Sequence, residues 1–302
     1  MAIPFIRNFP FEYGRCDTLA PGIRRVIANN PGPFTFTGTG TYILGEGEVA
    51  VIDPGPLMDS HLDALKTALA GETVTHILIT HTHKDHSPLA ASLKAWCGAA
   101  TYGFGPHGSG RAEGSVALDE GGDLAFRPDV TVRDADVIHG KGWSVEAVHT
   151  PGHTSNHLSF AYREAKALFC GDHVMGWSTT VVAPPDGNMA DYFASLDKIL
   201  ARDDESLWPT HGAPVLAPER DVRSFIQAFI EHRRGREAQI LDALAAGETT
   251  ITAMVRRIYA DVDTRLHPAA ALSVHAHLIH LVETGRVLCE GAASLQAVYR
   301  PA

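Results

Sequence analysis

A short apolar segment that ends in a cluster of histidine and aspartate residues constrains this sequence most strongly. The segment VTHILIT has the β-branched, apolar composition of a buried strand, and the residues HTHKDH follow it directly. In an extended chain alternate side chains point to the same side, so we expect His81 and His83 to face one point, with Asp85 and His86 in a turn beside it. Three imidazoles and a carboxylate suit Zn²⁺ or another borderline divalent ion. The motif therefore predicts a metal site at the end of a buried strand.

Three further residues of ligand type follow strand-like segments later in the chain. They are His153 in HTPGHT, Asp172 in FCGDH and His211 in WPTHG, and each lies beside a glycine, where the backbone can approach a ligand closely. Seven ligands are enough for two metal ions. The arrangement that we expect is His81, His83 and His153 on one ion, Asp85, His86 and His211 on the other, and Asp172 bridging the two together with a hydroxide.

The composition is that of a globular protein with an acid excess. The chain has 302 residues, of which 45% are hydrophobic and 20% charged, so one large domain or two smaller ones are expected rather than a disordered chain. The formal net charge of -10 argues against binding of polyanions over the whole surface. The sequence shows neither an apolar run of bilayer length nor a signal peptide, and its four scattered cysteines need no disulfide framework. We expect a cytoplasmic protein that does not bind membranes.

The order of elements predicts two domains. Strands alternate with short helices over residues 1–217, which indicates an α/β fold, and residues 218–302 are predominantly helical. Three predicted helices and a final hairpin are the order of a winged helix. The third of these helices, PAAALSVHAHLIHLVET, contains no Lys or Arg, so we expect it to pack or to cover the substrate rather than to bind duplex DNA. Its histidines His275, His277 and His280 are expected on the helix surface.

The motifs HTHKDH, TPGHT, GDH and PTHG, in this order and spacing, resemble the ligand set of the metallo-β-lactamase superfamily. This resemblance implies an αββα sandwich with a dinuclear site at one edge, followed here by the winged-helix-like domain. The segments NNPGPFTFTGTGTYILG and DYFASLDKIL and the helical C-terminal part are similar to the β-lactamase-like protein 2 group, whose animal member is an endoribonuclease. One departure is Gly40 in GTGTY, where that group usually has asparagine.

The expected chemistry is hydrolysis. Two metal ions lower the pKa of a bound water and polarise the oxygen that gains charge, so a bridging hydroxide can attack a carbonyl carbon or a phosphorus. Asp85 and Asp172 are the expected catalytic residues, both as ligands, and Asp85 also as a residue that orients the nucleophile. His173, Thr179 and Thr180 follow Asp172 and are candidates for the substrate side, with a position behind the ligands as the alternative for His173.

Several functions are compatible with the sequence. The substrate is expected to be a small ester or thioester, or single-stranded RNA cleaved at a phosphodiester bond; the acidic N-terminal part argues against RNA and the group resemblance argues for it. A glyoxalase-II-like thioesterase shares the ligand set. A non-catalytic, metal-binding regulatory protein on the same fold is a further alternative, which the presence of all seven ligands weakens. Zinc is the expected metal, with iron and manganese as alternatives, and the sequence is compatible with a homo-oligomer.

Overall fold

Alternation of side chains along the strands gives each sheet two apolar faces. The computed structural model describes residues 3–111 and 121–302. In the third strand, Tyr42 and Leu44 pack between the two sheets, whereas Ile43 packs on the outer side of its sheet. The fourth strand repeats this pattern with Ala50 inside and Val51 outside. This period of two residues explains how a continuous apolar segment is buried on both faces.

The elements follow the chain in an order that alternates strands with helices up to residue 216. The strands are β1 (Cys16–Ala20), β2 (Ile23–Ile27), β3 (Gly40–Glu46), β4 (Glu48–Ile52), β5 (Thr73–Leu78), β6 (Ala100–Gly103), β7 (Val130–Thr131), β8 (Val137–Gly140), β9 (Trp143–His149), β10 (Leu158–Tyr162), β11 (Ala167–Gly171), β12 (Ser206–Pro209), β13 (Val215–Leu216), β14 (Val287–Cys289) and β15 (Tyr299–Pro301). The helices are α1 (Asp59–Ala68), α2 (Ala90–Cys97), α3 (Met189–Leu200), α4 (Val222–Ala245), α5 (Ile251–Ile258) and α6 (His267–Glu283).

The strands before residue 217 form two mixed sheets. In the first sheet the strands lie in the order β1-β2-β3-β4-β5-β6-β7, antiparallel up to β4 and parallel from β4 onward. In the second sheet the order is β13-β12-β11-β10-β9-β8, with the pair β11 and β12 parallel and the other pairs antiparallel. The two sheets face each other across a shared apolar layer that includes Leu44, Phe160 and Phe169.

Helices cover the outer face of each sheet. Leu65 of α1 and Leu93 of α2 pack with Ile77 on the outside of the first sheet. Leu196 of α3 and Phe229 of α4 pack on the outside of the second sheet. The resulting order of layers is helix, sheet, sheet, helix, and it confirms the predicted αββα sandwich.

The C-terminal region has a hydrophobic core of its own. Met254 of α5, Val274 and Leu278 of α6, and Tyr299 of β15 meet there, and β14 pairs with β15 as an antiparallel hairpin. Helices followed by a hairpin confirm the winged-helix-like domain that the sequence predicts. The expectation for His277 was wrong, since this side chain is fully buried. Apolar residues surround most of α6, so its histidines do not share one exposed face.

Helix α4 connects the two parts of the molecule. Its first half contributes Phe225 and Phe229 to the core on the second sheet, and its second half contributes Ile240 and Leu244 to the C-terminal core. The Asp221 carboxylate accepts a hydrogen bond from the Ser224 backbone N–H at 2.8 Å and so caps the start of this helix. Because one helix serves both cores, the domain boundary between residues 217 and 218 stays a prediction. In the described part of the chain, no helix combines the length and the apolar character that crossing a bilayer requires.

The layer between the sheets makes a testable contribution to stability. Phe160 is fully buried there. We expect Phe160→Ala to lower the free energy of unfolding by about 3–5 kcal/mol, because the lost apolar contacts leave a cavity. Urea denaturation followed by circular dichroism measures this change. Leu288→Ala is the control, since Leu288 is 56% exposed, and equal unfolding midpoints for the two variants would contradict the assigned packing.

Candidate metal centre

The predicted ligands come from loops at the ends of strands in both sheets. His81, His83, Asp85 and His86 follow β5 of the first sheet, whereas His153 lies between β9 and β10 of the second. The ends of β11 and β12 supply the remaining two residues, Asp172 and His211. The structure therefore brings all seven predicted ligands to one edge of the sandwich, and this edge depends on both sheets.

Three histidines form the first group of donors. The Nε2 atom of His81 lies 3.1 Å from Nδ1 of His83, and Nε2 of His153 lies 3.0 Å from the same Nδ1 atom. All three donor atoms lie within 4.8 Å of one another. This group could hold one metal ion.

Asp85, His86 and His211 form the second group. The Asp85 Oδ2 atom lies 3.3 Å from Nε2 of His86 and 3.1 Å from Nε2 of His211. This group too has the compactness that a metal site needs.

The Asp172 carboxylate lies between the two groups. Its Oδ2 atom is 3.5 Å from Nε2 of His86 and 3.8 Å from Nε2 of His153, and its Oδ1 atom is 3.4 Å from Nε2 of His211. One carboxylate thus approaches donors of both groups, which is the position that the sequence predicts for a bridging ligand.

The chemical state of the donors fits divalent cations. Burial raises the pKa of the Asp172 carboxyl, but the imidazoles of His211 and His86 outweigh it and hold that pKa well below its usual value. Burial, together with the neighbouring His83 imidazole, lowers the pKa of His153 to about 4. Burial and the nearby imidazoles also lower the pKa of His81 well below its usual value. At neutral pH Asp172 is therefore ionised, and His81 and His153 are neutral, which are the forms that bind metal. Burial lowers the pKa of His211, but the carboxylates of Asp172 and Asp85 outweigh it and raise that pKa to about 10, and the pKa of His86 is likewise raised well above its usual value. In the second group a bound cation would therefore replace a proton.

Buried atoms without hydrogen bonds point to the same conclusion. Among the described residues, Nε2 of His86 and Oδ1 of Asp172 are buried and make no hydrogen bond. A buried polar atom without a partner costs free energy, and a coordinated cation would offset that cost for both atoms. The residues present thus fit a metal centre.

Hydrogen bonds on the far side of each ring fix how the imidazoles point. His86 Nδ1 lies 2.8 Å from Oδ2 of Asp53, and because a carboxylate can only accept, this nitrogen carries a proton and Nε2 is the atom that faces the centre. His211 Nδ1 donates to the Gly38 carbonyl at 3.1 Å, and His153 Nδ1 donates to the Val181 carbonyl. The same logic directs their Nε2 atoms inward.

Two residues that hold the ligands were missed in the sequence analysis. Asp53, which is buried, accepts hydrogen bonds from the Thr80 N–H at 2.8 Å and the Thr80 hydroxyl at 2.6 Å in addition to the bond with His86. Thr39 donates to Oδ2 of Asp85 at 3.2 Å, and Asn30 holds Thr39 through bonds of 2.9 and 3.0 Å. The sequence signal for Asp53 is its place in VIDPG, directly after β4. In the structure the backbone of Asp53 has a positive φ of 50°.

A cavity of about 680 Å³ opens onto the ligands, a volume typical of small-molecule sites. The lining comprises the ligands His83, Asp85, His153, Asp172 and His211, and also Phe34, Thr35, Lys84, Gly121, Met175, Val181, Ala183, Pro184, Pro185 and Leu272. Five of the seven candidate ligands therefore face a space that a substrate can enter.

The residues predicted for the substrate side lie elsewhere. His173 is fully buried with its ring 4.7 Å from the Tyr192 ring, and burial lowers its pKa to about 3. Thr180 is also buried and donates its hydroxyl hydrogen bond to the His173 carbonyl at 3.0 Å. Neither side chain is part of the cavity lining, and neither is Thr179; the neighbouring residue Val181 is. The position of His173 thus agrees with the alternative that placed it behind the ligands.

Two family models match the sequence. The model of the metallo-beta-lactamase superfamily matches residues 35–211, which is more than half of the chain. The chain belongs to this superfamily. A model of the beta-lactamase associated winged helix domain matches residues 250–294, a range that contains α5, α6 and β14.

Several known proteins resemble the chain over most of its length. A beta-lactamase-like protein 2 homolog of Caenorhabditis elegans is 31% identical over 90% of this chain and 88% of that protein. An atrochrysone carboxyl ACP thioesterase of Cryptosporiopsis sp. is 29% identical over 76% of this chain, and the match spans 64% of that protein's length. The crystal structure of a beta-lactamase domain protein from Burkholderia ambifaria superposes with a TM-score of 0.78 at 21% identity, over 100% of this chain and 97% of that one, which shows a shared fold.

Gly40, which stands where the similar group usually has asparagine, lies at a tightly packed position. Gly40 begins β3, and a Cβ atom there would lie 3.0 Å from Cδ of Arg25 and 3.0 Å from the Thr210 carbonyl oxygen. A larger side chain at this position would meet packed protein rather than the cavity. The departure from the group's asparagine therefore leaves the ligand arrangement as described.

The role of Asp53 can be tested through metal affinity. We expect Asp53→Asn to weaken zinc binding by about 10–100-fold, since a carboxamide has one acceptor oxygen fewer to share between Thr80 and His86. Competition with a chromogenic chelator measures the affinity. Asp129→Asn is the matched control, because Asp129 accepts the same pair of hydrogen bonds from Thr101. Equal zinc affinities of the two variants would show that Asp53 does not position the ligand.

Proposed function

We propose that this member of the superfamily is a dinuclear zinc-dependent hydrolase of esters or thioesters. The observation that supports the proposal most strongly is the pair of donor groups with the Asp172 carboxylate between them. In this proposal His81, His83 and His153 would hold one ion, Asp85, His86 and His211 the other, and Asp172 would contact both. The nitrogen and carboxylate donors suit zinc.

In this proposal the protein orients the ligand side chains and provides a partly enclosed cavity for the substrate. Bound zinc would provide a hydroxide nucleophile near neutral pH and a Lewis acid for the oxygen that gains charge. Asp85 faces the cavity, and its hydrogen bond with Thr39 keeps its carboxylate in one orientation. Asp172 is held from behind, because its backbone N–H donates to Nε2 of His157 at 3.2 Å. Asp85 and Asp172 are therefore the residues that we propose to be catalytic, both through ligand contacts.

The lining of the cavity favours a carboxylic ester or thioester over a phosphodiester. Apart from histidines, Lys84 is the one cationic side chain in the lining among the described residues. A polynucleotide gains affinity from several Lys or Arg contacts with its phosphates. The fungal relative with 29% identity is named as a thioesterase, which supports a thioester substrate for this chain as well. Cleavage of single-stranded RNA is the second candidate, and a parallel assay with an RNA oligonucleotide distinguishes the two.

Loss of a donor from either side of the cluster tests the proposal. We expect His83→Ala and Asp172→Asn to lower kcat/KM for a small acetyl thioester by more than about 100-fold, since even residues that only orient ligands contribute 10–100-fold. Elemental analysis should show a parallel loss of bound zinc. Circular dichroism should show an unchanged fold, because the sandwich cores do not include these side chains.

The matched control is His139→Ala, which removes an exposed histidine on β8 outside the cluster. It should retain the activity and the zinc content of the unmodified protein. Full activity of His83→Ala or of Asp172→Asn would exclude the proposed mechanism.

A further inference from the structure

Leu272 of α6 belongs to the walls of two cavities. It belongs to the lining of the space above the ligands, although it lies in the helical C-terminal region. It also belongs to the lining of a separate cavity of about 600 Å³ at the surface of that region. The two cavities therefore have one apolar residue in common, on the wall between them.

The second cavity is uncharged along the part that the structure describes. Its walls come from the start of α5, the first turns of α6 and the segment before β15. The lining residues are Thr250, Ile251, Thr252, Pro268, Ala271, Leu272, Leu295 and Gln296. Such a surface offers van der Waals contact and apolar burial, and its described lining offers no charged side chain as a partner for a phosphate or another ionic group.

Part of the lining of the first cavity is apolar. Met175, Val181, Ala183 and Pro185 share its lining with Leu272. The loop that carries Val181 is fixed, because the Val181 carbonyl accepts the hydrogen bond from His153. A substrate whose reacting carbonyl lies at the ligands would thus place any long substituent against apolar side chains.

We propose that the substrate is an ester or thioester of an extended apolar acyl chain, which leaves the metal centre, passes Leu272 and enters the second cavity. Leu272 is then a specificity-determining residue supplied by the winged-helix-like domain. This inference rests on the proposed hydrolase function. The occupant is identified by the wall that the two cavities share at Leu272 and by the uncharged lining of the second cavity, which match an alkyl or polyene chain rather than a nucleic acid or an acidic peptide.

A series of thioesters tests this inference. Acetyl, butyryl, octanoyl and lauroyl thioesters of one thiol are hydrolysed by the zinc-loaded full-length chain, and kcat and KM are measured separately. We expect kcat/KM to rise about three- to fourfold per methylene until the apolar surface is covered, mainly through KM. The ratio of lauroyl to acetyl kcat/KM should fall by at least about tenfold in Leu272→Glu, because a buried carboxylate opposes the alkyl chain.

The control is Leu288→Glu, which places the same charge at an exposed leucine of the same region that lines neither cavity. It should keep the ratio of the unmodified protein. Leu272→Ala provides a smaller change for the case in which Leu272→Glu does not fold, and it should lower the same ratio. Binding of the lauroyl ketone, in which a methylene replaces the thioester sulfur, should weaken by a similar factor in calorimetry, a measurement that needs no turnover.

The outcomes separate this inference from the function on which it rests. If the zinc-loaded protein hydrolyses neither these thioesters nor the corresponding oxygen esters, the proposed function fails. If it hydrolyses the acetyl thioester but shows a flat chain-length profile, or if Leu272→Glu and Leu272→Ala keep the ratio of the unmodified protein, the acyl-chain path is wrong and the hydrolase function stands. Preference for a charged substrate such as an RNA oligonucleotide would also overturn the path over Leu272.

Discussion

The packing of the two sheets against each other is the constraint on which the candidate centre depends. The loop after β5 belongs to the first sheet, and the loops after β9, β11 and β12 belong to the second. The apolar layer that contains Leu44, Phe160 and Phe169 holds these loop ends at a fixed separation. Donor atoms from both sheets then meet at 3.0–3.5 Å, a spacing that no single loop could provide for seven side chains. Hydrophobic burial in the interior thus positions the polar chemistry at the edge.

Residues that are not ligands also hold the donor side chains in place. Arg233 of α4 is buried over the Tyr192 ring and donates to the Thr180 carbonyl. The next residue, Val181, accepts the hydrogen bond that orients His153. Helix α4 is therefore part of the support of the first donor group, and it also connects to the C-terminal core. Together with Leu272, this contact makes the winged-helix-like region a structural part of the catalytic cavity.

Much of the fold and of the ligand set could be predicted from local patterns. The apolar segment before HTHKDH predicts a buried strand, and His and Asp residues beside a glycine after later strands predict the donors. Each of these signals is contained in a few consecutive residues. The partner of His86 could not be predicted in this way. Asp53 lies 33 positions earlier, and only the parallel pairing of β4 with β5 brings it under the ring.

Other side chains around the site could not be placed from the sequence for the same reason. The sequence leaves two positions open for His173, because consecutive side chains point in different directions, and in the structure His173 packs on Tyr192. His277 lies on a helix whose burial is set by contacts with α4 and α5. Leu272 carries no chemical signal in the sequence at all, since an apolar residue on a helix usually belongs to a core. Its place in the cavity follows from the packing of one domain on the other.

The stoichiometry of bound metal tests the central claim most directly. The protein would be loaded with zinc, freed of unbound metal on a desalting column and analysed for zinc and sulfur by elemental analysis. The account predicts about two zinc ions per chain, one for each donor group. A value of about one would leave Asp172 without its bridging role, and a chain that retains no zinc after reconstitution would contradict the assignment of the seven residues as a dinuclear centre.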